Sequence, residues 1–144
     1  MIPQDIMIGD WLLADGKPIQ VAAIHLKKVG YHERHDRLTW VRLDRLDYIK
    51  ITDETLREFG FKKLDMGDGW LYDDNVYEYR SDKIKNEEAY KFLLSWTEDE
   101  YGDRRYRIIC RKYGEFMELR NDSISEMQHF FYDFNHCFMP LERN

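Results

Sequence analysis

Near the end of the chain, Glu126, His129, Asp133 and His136 fall at i, i+3, i+7 and i+10, a spacing that gathers four potential ligands on one side of a helix. Neutral imidazole and carboxylate suit Zn²⁺ or another divalent ion. One helix cannot wrap a tetrahedral ion, however, and a Glu-x-x-His pair becomes a di-metal signature only when a facing helix repeats it. No second copy is present in the sequence. The expectation is a solvated helix face, with no metal or other cofactor; these four residues are the candidates if a metal is held.

Two basic constellations could bind rather than react. The segment Lys27–Arg37 reads as an exposed polar loop, and within its Tyr31-His32-Glu33-Arg34-His35-Asp36-Arg37 the cations Arg34 and Arg37 with His35 could meet an anion. Arg105, Arg107 and Arg111 alternate with Tyr106, Ile108 and Cys110, so they share one strand face, where pairing with nearby acids competes with an anion groove. Nucleophilic chemistry has little support. Cys110 sits at an inward strand position, where cysteine behaves as a small hydrophobe. Cys137 follows His136 directly, and neighbours in a helix do not face each other. The acidic run DMGDGWLYDDN lacks the spacing and terminal Glu of an EF-hand, and no Walker loop, dinucleotide fingerprint or CxxC occurs. A non-enzymatic protein is expected.

The 144 residues are 43% apolar and 15% aromatic, enough for a packed interior. The net charge of −6 argues against a dedicated nucleic-acid binder. Neither a secretory signal nor an apolar run of bilayer length is read, so the protein is expected to be cytoplasmic, off the membrane, with reduced thiols. Residues 1–51 carry 8 Lys+Arg against 7 Asp+Glu, and the remainder 14 against 21.

The elements that must position these groups divide at Ile49–Phe61. There Thr52 is an N-cap, Asp53 and Glu54 favour the helix N-terminus, and Gly60 with Phe61 gives a Schellman stop. Before it, Ile6–Ala14 and Ile19–Ile24 read as a hairpin through Asp15-Gly16-Lys17-Pro18, followed by strands Leu38–Leu43 and Tyr48–Ile51 around a charged turn at Asp44–Asp47. Four short strands suggest a bent antiparallel sheet or SH3-like small barrel over residues 1–51. After it come a loop at 65–69, strands Trp70–Tyr72, Val76–Arg80, Arg104–Lys112 and Glu115–Leu119, and a helix Ser123–His136 opened by a Ser123/Glu126 capping box. Residues 86–97 suit a strand or a helix, with the strand preferred. The fold expected is α+β: residues 1–51 a small β module, and residues 52–144 an antiparallel sheet of four or five strands covered by one amphipathic helix, with one shared core as the alternative to two modules.

The opening IMIGDWLLADGKPIQV, the middle IKITDETLREFGFKK and the closing SISEMQHFFYDFN resemble three blocks of a family of small uncharacterised proteins from Bacteroides-type gut bacteria and their phages. The corresponding blocks read IGNxVxxxGKxxxV, LTEExLxxFGF and VHxLQNLYFALTG. Gly9, Gly16, Lys17, Val21, Thr52, Leu56, Phe59, Gly60 and Phe61 match directly. In the closing block, Glu126-Met127-Gln128-His129 follows HxLQN only loosely, and Asn135-His136-Cys137 replaces the small-residue stop. The resemblance implies a setting in a bacterium or mobile element and carries over no established activity. Together with Trp11, Trp40, Trp70, Trp96 and ten tyrosines, it leaves a protein-interaction module as the expected function, the partner being an unidentified protein. The alternatives are a metal protein or enzyme using the outer helix face, and a nucleic-acid-binding small barrel.

Overall fold

The computed structural model describes residues 5–64, 75–81, 91–110, 115–135 and 139–143. Strand Trp11–Ala14 (β1) returns as Lys17–Gln20 (β2) through Asp15 and Gly16, whose φ values of 49° and 82° are those of a two-residue hairpin loop. The expected strand Ile6–Ala14 is shorter because Asp10 turns inward: its N–H donates to the Met7 carbonyl and its carboxylate accepts from Met7 N at 2.8 Å.

The run Ile19–Ile24, read as one strand, serves two sheets. Val21 N donates to Asp10 O at 2.9 Å, whereas Ala22 N donates to Gly30 O at 2.8 Å. Beyond that handover, Ala23–His25 (β3), Lys28–Arg34 (β4) and Arg37–Arg42 (β5) form a meander. The expected polar loop at 27–37 is therefore mostly strand. Only Val29 and Gly30 are buried along β4, so the apolar alternation that marks a strand is missing, and cross-strand backbone bonding decides the structure instead. The charged segment at 44–47 contributes to a 3₁₀ turn, Leu43–Arg45, before Leu46–Tyr48 (β6), which pairs with β1.

These strands give two three-stranded sheets, in order β2-β1-β6 and β3-β4-β5, and they do not close into a barrel. Their shared interior is Leu12, Ala14, Ile19, Val21, Val29, Val41 and Leu46.

Helix Asp53–Glu58 (α1) follows the expected signals. Thr52 Oγ1 accepts from Thr55 N at 3.1 Å and Thr55 Oγ1 accepts from Thr52 N at 2.8 Å, a reciprocal box built from two threonines. Gly60 has φ of +86°, and Phe61 N and Gly60 N donate to Leu56 O and Arg57 O. That is the hydrogen-bond pair of a Schellman motif.

Strands Lys62–Leu64 (β7), Asn75–Arg80 (β8), Lys91–Glu98 (β9), Arg104–Cys110 (β10) and Glu115–Glu118 (β11) form an antiparallel sheet in the order β11-β10-β9-β8-β7. Residues 91–98 are thus strand, central in the sheet. Phe92, Leu93, Leu94 and Ser95 are all buried, so both faces are covered and the period of two is blurred. Helix Ile124–Asn135 (α2) lays Ile124, Met127 and Phe131 on this sheet, with Phe131 edge-on to Phe92 at 5.3 Å. Its N-cap is half of the expected box: Glu126 N donates to Ser123 Oγ, but Ser123 N donates to Asn121 Oδ1 rather than to Glu126. The expected strand at Trp70–Tyr72, residues 86–90, Arg111, His136 and Cys137 lie outside the described residues, as do the side chains of Cys110 and Phe134.

The larger core reaches across the 51/52 division. Ile49 and Ile51 belong to it, Lys50 bridges to Ser123, and Ile124 N donates to Ile49 O at 2.9 Å.

Candidate interaction surface

The four-residue constellation on α2 is not a uniformly solvated face. His129 has only 17% of its side chain exposed, and its Nε2 lies 2.7 Å from Oδ2 of Asp10, a carboxylate 1% exposed. Gln128, one position back, is fully buried: its Oε1 accepts from Trp11 N and its Nε2 donates to Gly9 O, each at 3.0 Å. The clasp joins residues 119 apart, which no local spacing could announce.

Burial, the largest single influence on His129, disfavours its charged form. The hydrogen bond and charge of Asp10, with the charges of Glu126 and Asp133, outweigh it, and the imidazole pKa is raised above the usual histidine value. Asp10 Oδ1 is buried and has no hydrogen-bond partner among the described residues. With Nε2 of His129 already engaged, this is a structural clasp. Among the described residues no three His, Cys, Asp or Glu side chains converge as a metal would require.

The arginine face of β10 is met by acids. Arg105 Nε is 3.9 Å from Glu118 Oε1, and Arg107 stands opposite Glu118 in the ladder. Arg104, on the other face, lies over the Trp96 ring at 3.9 Å and reaches Glu98 at 3.4 Å. The adjoining groove, about 490 Å³, mixes Arg104, Arg105 and Arg120 with Asp103, Glu118 and Asp122. Its charges balance, so it offers no anion site. The groove beside β2, about 600 Å³, carries Lys17, Tyr31, His32 and Glu33 as its titratable side chains and resembles no catalytic set.

The most unusual surface belongs to the β3-β4-β5 sheet. Of the seven large hydrophobic side chains exposed among the described residues, Ile24, Leu26, Leu38 and Trp40 lie on this one small sheet and its turn. Leu26 is 85% exposed at the β3–β4 turn, on a backbone held at φ of 53°, a conformation uncommon for a residue with a side chain. Trp40 is 45% exposed, with the His25 ring edge-on to it at 6.4 Å.

Gly30 makes this arrangement possible. A Cβ there would lie 3.3 Å from Trp40 Cζ3 and 3.4 Å from Leu38 Cδ2, so its absence lets both side chains lie down over β4. Arg34, His35 and Arg37 are all exposed at the far turn of the same meander, the first and last paired across it. Residues 23–42 carry five Lys+Arg against two Asp+Glu, and the rest of the chain 17 against 26. The sheet is a basic, apolar island on an acidic molecule.

Sequence reasoning placed Arg34, His35 and Arg37 here and noted Trp40 among the aromatics, but read a loop where β4 runs. Comparison of the chain with protein-family models, with curated proteins and with solved structures finds no match.

Proposed function

We propose that the protein is a non-enzymatic interaction module that receives a partner protein on the outer face of the β3-β4-β5 sheet. The observation that carries this is the gathering of Leu38 and Trp40 on that face, with Leu26 at the adjoining β3–β4 turn, within a basic rim. Exposed apolar surface of this kind costs solubility and marks contact sites when it is contiguous and rimmed by polar groups. Trp and Arg are the side chains that most often anchor such contacts. Asp10 with His129, Glu98 with Arg104 and Glu118 with Arg105 are engaged in structural pairs, which favours binding over catalysis. The resemblance of the opening, middle and closing blocks to small proteins of gut bacteria and their phages supports a partner from that setting.

The test is capture from a native host with the wild-type chain and with Trp40→Ala combined with Leu26→Ser, using Tyr101→Ser as an exposed control at the β9–β10 turn. The double variant is expected to lose a specific protein that the control retains. Identical captured sets for all three would refute the assignment.

A further inference from the structure

Resting on that reading of the sheet, we infer that the partner docks as an extended acidic segment added along the open edge of β5. In the order β3-β4-β5, β5 is terminal, and among the described residues no strand lies on its outer side. Its six residues, Arg37–Arg42, span about 20 Å. Such an edge presents a row of backbone donors and acceptors that an added strand can satisfy, while alternate side chains of the newcomer supply specificity. Leu38 and Trp40, two apart on β5, form a ready apolar strip for those side chains, held down over Gly30.

Charge selects the occupant. Five cations against two acids in residues 23–42 attract an acidic chain, while the surplus of acids elsewhere, 26 against 17, repels a basic one.

A nucleic acid fits less well. Trp40 is the only large aromatic ring exposed on this sheet among the described residues, so successive bases would find no run of stacking platforms. The cationic track is also interrupted: Arg42 is paired with Asp44, and Glu33 accepts from Thr39. A second copy of the chain would bring the same positive excess against itself, with Arg37 and Arg42 on both strands.

The experiment uses the full chain labelled for amide NMR and three probes: a peptide of about ten residues alternating Glu with Val, its Lys–Val counterpart, and an oligouridine of similar length. The acidic peptide is expected to shift the amides of residues 37–42 and to bind at least about tenfold tighter than the lysine peptide. Its affinity should fall several-fold between roughly 50 and 200 mM salt. Methylating its backbone nitrogens along one edge, or Trp40→Ala in the protein, should each weaken it by about tenfold. Equal binding of the two peptides, tighter binding of oligouridine, or self-association through residues 37–42 overturns the inference. So does failure of every probe while Trp40→Ala with Leu26→Ser still abolishes native capture; the interaction surface then stands, and its partner has another chemistry.

Discussion

His129 holds its proton more tightly in the folded chain than an exposed histidine does, because the carboxylate of Asp10 faces it in a nearly dry setting. A raised folded pKa means that this group's stabilisation is fully present below the unfolded value near 6.5 and is lost as pH rises through the folded value. Urea midpoints are therefore expected to fall as pH rises across that window, and Asp10→Asn should flatten the slope by removing the charge that holds the proton. A wild-type midpoint rising over the same range would contradict this account. The group with an opposite sense is Asp53, whose carboxylate is held below the usual range, first by the Tyr77 hydroxyl donating at 2.6 Å and then by Arg57. Burial, followed by that same bond, pushes Tyr77 up to about 12.

At the scale of single elements, α1 and β4 illustrate two different demands for glycine. Gly60 has open space where a side chain would go but a φ of +86°, so Gly60→Val meets no clash and only a strained backbone. Its expected cost is roughly 1–2 kcal/mol in thermal or urea unfolding; an unchanged midpoint would remove the Schellman cap from the explanation of where α1 stops. Gly30 has an ordinary backbone and crowded surroundings. Gly30→Ala pushes against Trp40 and Leu38, whose exposed side chains can move aside, so stability should change by less than about 1 kcal/mol. Partner capture should nevertheless fall, because the flat strip is disturbed. If capture is untouched while stability drops by several kcal/mol, Gly30 serves folding rather than the surface.

At the scale of the molecule, the two cores are fastened by a few long-range polar bonds. Gln128 supplies two of them to Gly9 and Trp11, Trp11 Nε1 donates to Leu141 O at 3.2 Å, and the Trp11 ring meets Phe59 edge-on at 5.2 Å. Gln128→Ala strands the Trp11 backbone donor at this seam, while Gly9 O keeps the Gln20 amide at 3.3 Å, and roughly 1–3 kcal/mol of unfolding free energy is expected to be lost. A loss under about 0.5 kcal/mol, the scale of an ordinary surface change, would mean that the seam is relaxed by water. The local signals in the chain were sufficient for the elements whose causes are local: the Thr52 cap, the Gly60 stop, the Asp15-Gly16 turn, the alternation at Tyr106 and Ile108, and the Ile124, Met127 and Phe131 side of α2. Each depends on residues within one or two turns, so composition and spacing determined it. What needed the tertiary structure was everything decided by distant partners. Asp10 reaches His129 across the whole chain, the polar segment from Lys28 becomes a strand only because β3 and β5 flank it, and Ile19–Ile24 divides because two sheets compete for its backbone. The surface islands belong to the same class: charge counts along the chain hinted at a sign change, but only folding brings Leu26, Leu38 and Trp40 onto one sheet and leaves them uncovered.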